Sequence, residues 1–238
     1  MNHIVALSGG KDSTARALRL TEVEPREYQY VFTPTGDELP EMIEHWLRLR
    51  GLLNAPLVPL SCGKSLDGLI RLQNALPNWR MRWCTRMLKI EPFEHYIITQ
   101  TPCVVYVGMR ADEANREGVA YEQIGDVTRR YPLVEWGWGI GCVLDYLKQR
   151  GVTIPDRTDC ANCFFQTLYE WWHLWRYHPD RYATGEAWEL LTSHTLRSEQ
   201  RDSHPAALQG LRAEFEAGYV PVKKTMKDRR MMCSVCAR

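Results

Sequence analysis

Apolar residues in this chain fall in short runs that alternate with stretches of helical period. The runs occupy residues 3–7, 28–33, 55–59 and 103–107, and their length and composition predict strands. Between them, residues 14–22, 40–50, 65–73 and 87–99 are helix-compatible; in 40–50, Met42, Ile43, Trp46, Leu47 and Leu49 lie broadly on one face. Strands that alternate with helices require right-handed crossovers, which lay the strands parallel and cover the sheet on both sides. Residues 1–155 are therefore predicted to form an α/β domain, a Rossmann-like parallel sheet with helices on both faces. Beyond Pro155 the pattern changes. Phe164, Phe165, Leu168, Trp171, Trp172 and Trp175 fall at helical spacing, Pro179 interrupts, and 187–191 and 208–215 suggest further helices. Residues 156–238 are predicted as a small helical, cysteine-containing C-terminal region, its aromatic stripe assigned to core rather than to base stacking.

The 238 residues carry a net charge of only +1, so no global field advertises a polyanionic partner. Basic residues do concentrate locally, at Arg80, Arg82, Arg86 and Lys89 and again over 223–230. The N-terminal segment lacks the basic stretch and apolar core of a signal peptide, and no window offers the roughly 20 apolar residues of a membrane helix. A soluble, cytoplasmic protein without a membrane partner is expected. In a reducing compartment, eight cysteines with two Cys-x-x-Cys pairs point to metal or redox chemistry more than to structural disulfides.

Directly behind the first apolar run stands Ser8-Gly9-Gly10-Lys11-Asp12-Ser13-Thr14. Gly9 and Gly10 permit a sharp turn whose N–H groups face an anion, and Ser13 and Thr14 open a helix whose N-terminal dipole favours negative charge. The segment is not a Walker A loop, because Gly10-Lys11 is followed by Asp12, and it lacks the Gly-x-Ser-x-Gly setting of a nucleophile elbow. Asp12 would repel a phosphate unless Mg²⁺ bridged the two, which makes it a candidate metal contact. Ligands of parallel sheets bind beyond the carboxyl ends of the strands, where this loop is expected.

The string Ser8 to Ser13 resembles the PP-loop of N-type ATP pyrophosphatases and of the phosphoadenylyl-sulfate (PAPS) reductase family. Thr33-Pro34-Thr35-Gly36-Asp37-Glu38-Leu39-Pro40-Glu41 resembles that family's Asp-Thr-Gly-x-Glu-Phe-Pro-Glu stretch, matching at Thr35, Gly36, Glu38, Pro40 and Glu41, with Pro34 in place of the leading aspartate. Cys84-Thr85-Arg86-Met87-Leu88-Lys89-Ile90-Glu91-Pro92 is similar to an element of adenylyl-sulfate reductases and DNA-phosphorothioation ATPases in which the cysteine binds an iron-sulfur cluster and basic residues face the nucleotide. Gly108-Met109-Arg110-Ala111-Asp112-Glu113-Ala114-Asn115-Arg116 resembles the Gly-x-Arg-x-x-Glu-Ser-x-x-Arg signature. Arg110 or Arg116 would there grip phosphate or sulfate through the guanidinium fork. Tyr131-Pro132-Leu133-Val134-Glu135-Trp136 looks like a packing element of the same family.

The resemblance implies an adenine nucleotide bound by Ser8, Gly9, Gly10, Lys11, Asp12, Ser13, Thr35, Gly36, Arg86, Arg110, Glu113 and Arg116, with Lys11, Asp12, Lys89 and Arg110 as catalytic groups. The expected reaction is that of an ATP pyrophosphatase with Mg²⁺, which adenylates a substrate oxygen and supports sulfur transfer from a sulfur donor to a nucleic acid or small metabolite. Two metal arrangements stay open: Cys160, Cys163, Cys233 and Cys236 around Zn²⁺, or Cys84, Cys160, Cys163 and one tail cysteine around a [4Fe-4S] cluster, which the resemblance favours. Two alternative functions are a PAPS or adenylyl-sulfate reductase that releases sulfite, and a zinc-containing nucleic-acid-binding protein with an inactive nucleotide domain.

Overall fold

The computed structural model describes residues 1–113 and 125–223, which form two compact units. The first takes in Met1–Pro34, Glu38–Cys62 and Met87–Thr158. Its five strands, β1 (Asn2–Ala6), β2 (Gln29–Phe32), β3 (Leu57–Pro59), β4 (Cys103–Tyr106) and β5 (Val127–Arg130), form one parallel sheet in the order β3-β2-β1-β4-β5. The period-2 alternation of the central strands divides the core by face. Val5, Tyr30, Val104 and Tyr106 pack on one side with residues of α1 (Lys11–Val23), α2 (Pro40–Leu53), α6 (Pro132–Glu135) and α7 (Ile140–Gln149). Ile4, Val31, Cys103 and Val105 pack on the other with Phe93 and Ile97 of α5 (Glu91–Thr99).

Two expectations change here. Residues 87–99 are not one helix: a short turn, α4 (Trp83–Thr85), leads through a π-helical stretch, Arg86–Ile90, into α5. The strand β5 was not foreseen, because Val-Thr-Arg-Arg offers neither an apolar run nor apolar alternation; Arg130 nevertheless sits there, donating to the carboxylates of Glu24 (2.7 and 2.9 Å) and Glu135.

The second unit draws on Thr35–Asp37, Gly63–Arg86 and the described residues from Asp159. It contains α3 (Leu66–Gln73), α4, α8 (Leu168–Tyr177), α9 (Pro179–Thr192) and α10 (Leu208–Glu216). Thr167 and Glu170 form a reciprocal capping box that starts α8, so Phe164 and Phe165 lie in the preceding turns rather than on the predicted helical stripe. Pro179 opens α9 as its first residue, a position where a missing N–H costs nothing. Trp171, Trp188, Tyr182, Leu208 and Leu211 are fully buried, and Trp188 Nε1 donates to Asp67 of α3 at 2.7 Å. Among the described residues no helix is long and apolar enough to cross a membrane.

Glu189 lies inside this helical unit, its two carboxylate oxygens accepting from the amides of Leu196 (2.8 Å) and Leu208 (2.7 Å). Burial pushes its carboxyl from 4.5 up to about 7, against the pull of those two bonds. A folded-state pKa above the unfolded one means that folding takes up a proton, so this contribution to stability is complete below pH 4.5 and is lost as the pH rises through 7. Chemical unfolding measured across that range is expected to show a stability that falls with pH. Glu189→Gln should flatten the fall at the expense of one hydrogen bond; an unchanged slope in that variant would show that Glu189 titrates normally.

Candidate functional site

The end of β1 runs straight into the loop of residues 8–14. Gly9 has φ +84°, and a Cβ there would lie 2.2 Å from Met42 Cε and 2.9 Å from Trp46 Nε1, so α2 packs where only glycine fits. The loop holds itself open through hydroxyls. Ser13 Oγ accepts from the Gly9 amide (3.1 Å) and donates to the Gly10 carbonyl (3.0 Å), and Ser8 Oγ accepts from the Gly10 amide (3.3 Å). Gly10 is the N-cap of α1 and supplies no side-chain cap. The first amides of this 13-residue helix, those of Lys11, Asp12 and Ser13, have no intrahelical acceptor and point beyond the sheet. That is the arrangement in which helix termini take up phosphate.

Asp12 and Arg110 meet at this helix start. Arg110 follows β4 and is 8% exposed. Its Nη1 donates to Asp12 Oδ2 at 2.7 Å, its Nε to Asp112 Oδ1 at 2.8 Å and its Nη2 to Glu113 Oε1 at 2.8 Å. Burial works against this guanidinium, but hydrogen bonding to Asp112 and the charges of Asp12 and Glu113 outweigh it and hold its pKa above the ordinary value. The structure thus brings Arg110 and Glu113, both expected at the site, together with Asp12 at the start of α1. Three of the five guanidinium N–H donors go to carboxylates, those of Asp12, Asp112 and Glu113, so Arg110 fixes the orientation of Asp12. Asp112, whose Oδ2 accepts from the Ile140 amide at 3.1 Å, completes the group. The other Asp12 oxygen, Oδ1, is buried without a hydrogen-bond partner. Lys11 Nζ lies 3.7 Å from Asp12 Oδ2.

Arg16, one turn further along α1, is a functional candidate that its sequence setting conceals. It is fully buried and donates from Nη1 to the Tyr106 carbonyl (2.6 Å) and from Nη2 to the Ala6 carbonyl, the last residues of β4 and β1. Burial lowers its pKa to about 9, which leaves it charged at neutral pH. Lys89 lies exposed on the π-helical stretch of the first unit.

The second unit gathers a different part of the expected site. Thr35 Oγ1 lies 3.3 Å from Cys160 Sγ, and Gly36, at φ +82°, passes Ser65 so closely that a Cβ would come within 2.8 Å of it. Asp37 is 3% exposed and organises the Cys160–Cys163 turn: its carbonyl accepts from the Ala161 amide (2.6 Å), its carboxylate from the Asn162 amide (2.8 Å) and side chain (3.3 Å). A buried aspartate capping a Cys-x-x-Cys turn was not anticipated from sequence, where Asp37 read only as part of a turn. Cys84 and Arg86 belong to α4 and the turn that follows it. Among the described residues, no three His, Cys, Asp or Glu side chains form a metal-holding group, so Cys84, Cys160 and Cys163 do not assemble one by themselves. Arg116, Cys233 and Cys236 lie outside the described residues.

A crystal structure of phosphoadenylyl-sulfate (PAPS) reductase from Candida auris, in a phosphate complex, is similar in fold, with a TM-score of 0.53 and 16% identity over 65% of this chain and 75% of that one. Among curated proteins nothing matches. The model of the phosphoadenosine phosphosulfate reductase domain matches residues 2–156, the whole of the loop-bearing sheet and its helices, and stops before Cys160; the chain belongs to that family.

Proposed function

We propose that this chain is an ATP pyrophosphatase that works in sulfur transfer. ATP binds with its β,γ-pyrophosphate against residues 8–13, a substrate oxygen attacks the α-phosphorus, and pyrophosphate leaves. A sulfide-level sulfur donor then attacks the carbon that bears the adenylated oxygen, forming the C–S bond as the C–O bond breaks and AMP departs with the oxygen. The observation that carries this reading is the divided Asp12 carboxylate. Its Oδ2 is neutralised by Arg110, while its Oδ1 is a buried acceptor without a donor, an expensive state unless a ligand completes it. A carboxylate oxygen beside a phosphate-binding helix start fits Mg²⁺, which when bound would supply charge neutralisation at the phosphates.

The chain's own groups do the rest by position and charge. The α1 amides face the charge that develops on pyrophosphate, Lys11 adds a mobile cation, and Arg110 keeps Asp12 from turning away from the loop. A second reading, a reductase, is favoured by the family model and the fold neighbour. In it the loop holds the phosphate of a phosphosulfate, a cysteine thiolate attacks sulfur with expulsion of the nucleotide, and a second thiol reduces the resulting S-sulfonate to release sulfite. Pyrophosphate release from ATP supports the first reading; sulfite release from PAPS with thioredoxin and no ATP turnover supports the second.

Asp12→Asn is expected to lower pyrophosphate release by about 100-fold or more, the scale for losing one preorganised electrostatic contact, with the unfolding midpoint close to wild type. Retained turnover would remove the role given to Asp12. The [4Fe-4S] proposal concerns the second unit, whose described cysteines do not fit a four-thiolate centre without Cys233 or Cys236, and no step above runs through it. Metal and sulfide analysis of protein purified without oxygen tests it. Iron with matching sulfide, lost in Cys84→Ser and Cys163→Ser, is the expected result; zinc alone, or no metal, overturns the cluster.

A further inference from the structure

The second unit holds a cavity of about 780 Å³ that the reaction above leaves unused, a size common for small-molecule sites. Its walls are anchored. Asn78 Oδ1 accepts from the amides of Arg80 and Met81, both at 2.9 Å, and this turn presents Trp79 to the cavity with 51% of its surface exposed. Arg201 donates to the carbonyls of Phe164 (2.9 Å) and Phe165 (3.1 Å), which fixes the second aromatic wall. Arg197, buried at 2% exposure, ties the intervening segment to Asp202 and to the Pro205 carbonyl.

Each aromatic wall carries an arginine on a ring face: Arg80 over Trp79 at 4.6 Å and Arg82 over Phe165 at 5.5 Å. A guanidinium stacked in this way keeps its in-plane N–H edge for a phosphate. The Arg82 Nε is moreover buried and lacks a hydrogen-bond partner. Asp159 and Glu199 also line the cavity; carboxylates accept from exocyclic amino groups but repel phosphate. The chemistry is therefore graded, with flat apolar walls and amine acceptors within and arginine edges beside the walls.

We propose that this cavity takes an unpaired nucleobase, stacked against Trp79 or Phe165, with its phosphate on Arg80 and Arg82. The base comes from a single-stranded nucleic acid or from a free nucleotide. Phe164 and Phe165 directly follow Cys163, so the wall begins at the Cys-x-x-Cys turn. As a base-binding site the cavity stands independently of the reaction proposed above.

Fluorescence anisotropy of a short labelled single-stranded DNA, with displacement by unlabelled UMP and no ATP present, tests the assignment. The wild-type protein is expected to bind, and Trp79→Ala to lose between about 5- and 150-fold in affinity, the range for one base–aromatic stack. Arg82→Gln should weaken binding and make the logarithmic salt dependence shallower by about one phosphate contact. Displacement by UMP assigns a free nucleotide as an adequate source, and resistance to UMP assigns the strand; both uphold the base site. Asp12→Asn is expected to bind DNA as the wild type does, so a failed pyrophosphatase assay beside intact binding sinks the reaction and leaves the cavity. Wild-type affinity in folded Trp79→Ala and Arg82→Gln, or no binding of either probe, overturns the proposal.

Discussion

In a parallel sheet whose strand order reverses, the two central strands end side by side and their chains then part, leaving terminal carbonyls at the point where a ligand must approach. Here one side chain answers that constraint. Arg16 reaches from α1 to the carbonyls of Ala6 and Tyr106 and so ties β1, β4 and α1 together. Because the helix that carries Arg16 also carries the loop at its start, this bond sets where the α1 amides lie relative to the sheet.

Around that anchor the site is an exercise in charge placement. Three carboxylates crowded at one helix start repel one another, and Arg110 offsets this by engaging one oxygen of Asp12 while Asp112 and Glu113 hold Arg110 in turn. The buried guanidinium thereby serves as a fixed counter-ion, while the second oxygen of Asp12 has no hydrogen-bond partner. In the second unit, Asp37 plays a comparable organising part for the Cys160–Cys163 turn, through amide hydrogen bonds instead of ion pairs.

The alternation of apolar runs and amphipathic stretches was legible because burial imposes it: strands covered on both faces need continuous Val, Ile and Leu, and helices on a sheet need one apolar stripe. Where burial is slight the pattern fails. Val127–Arg130 is a strand held by backbone pairing to β4 and by the Arg130 carboxylate partners, none of which leaves an apolar signature. Phe164 and Phe165 continued the periodicity of the following helix, yet the capping box at Thr167 starts α8 after them, which frees Phe165 to line a cavity.

The sequence alone determined the α/β class and the glycine-turned loop at the end of the first strand, since local spacing and backbone freedom are properties of adjacent residues. Which carboxylate faces which guanidinium depended on the fold. Arg110 and Asp12 are 98 positions apart, and only the sheet order that sets β4 beside β1 makes Arg110 the partner of Asp12. The burial of Arg16, the cap that Asp37 provides and the stacking of Arg82 on Phe165 were likewise decided in three dimensions, because each joins residues from segments that no sequence period connects.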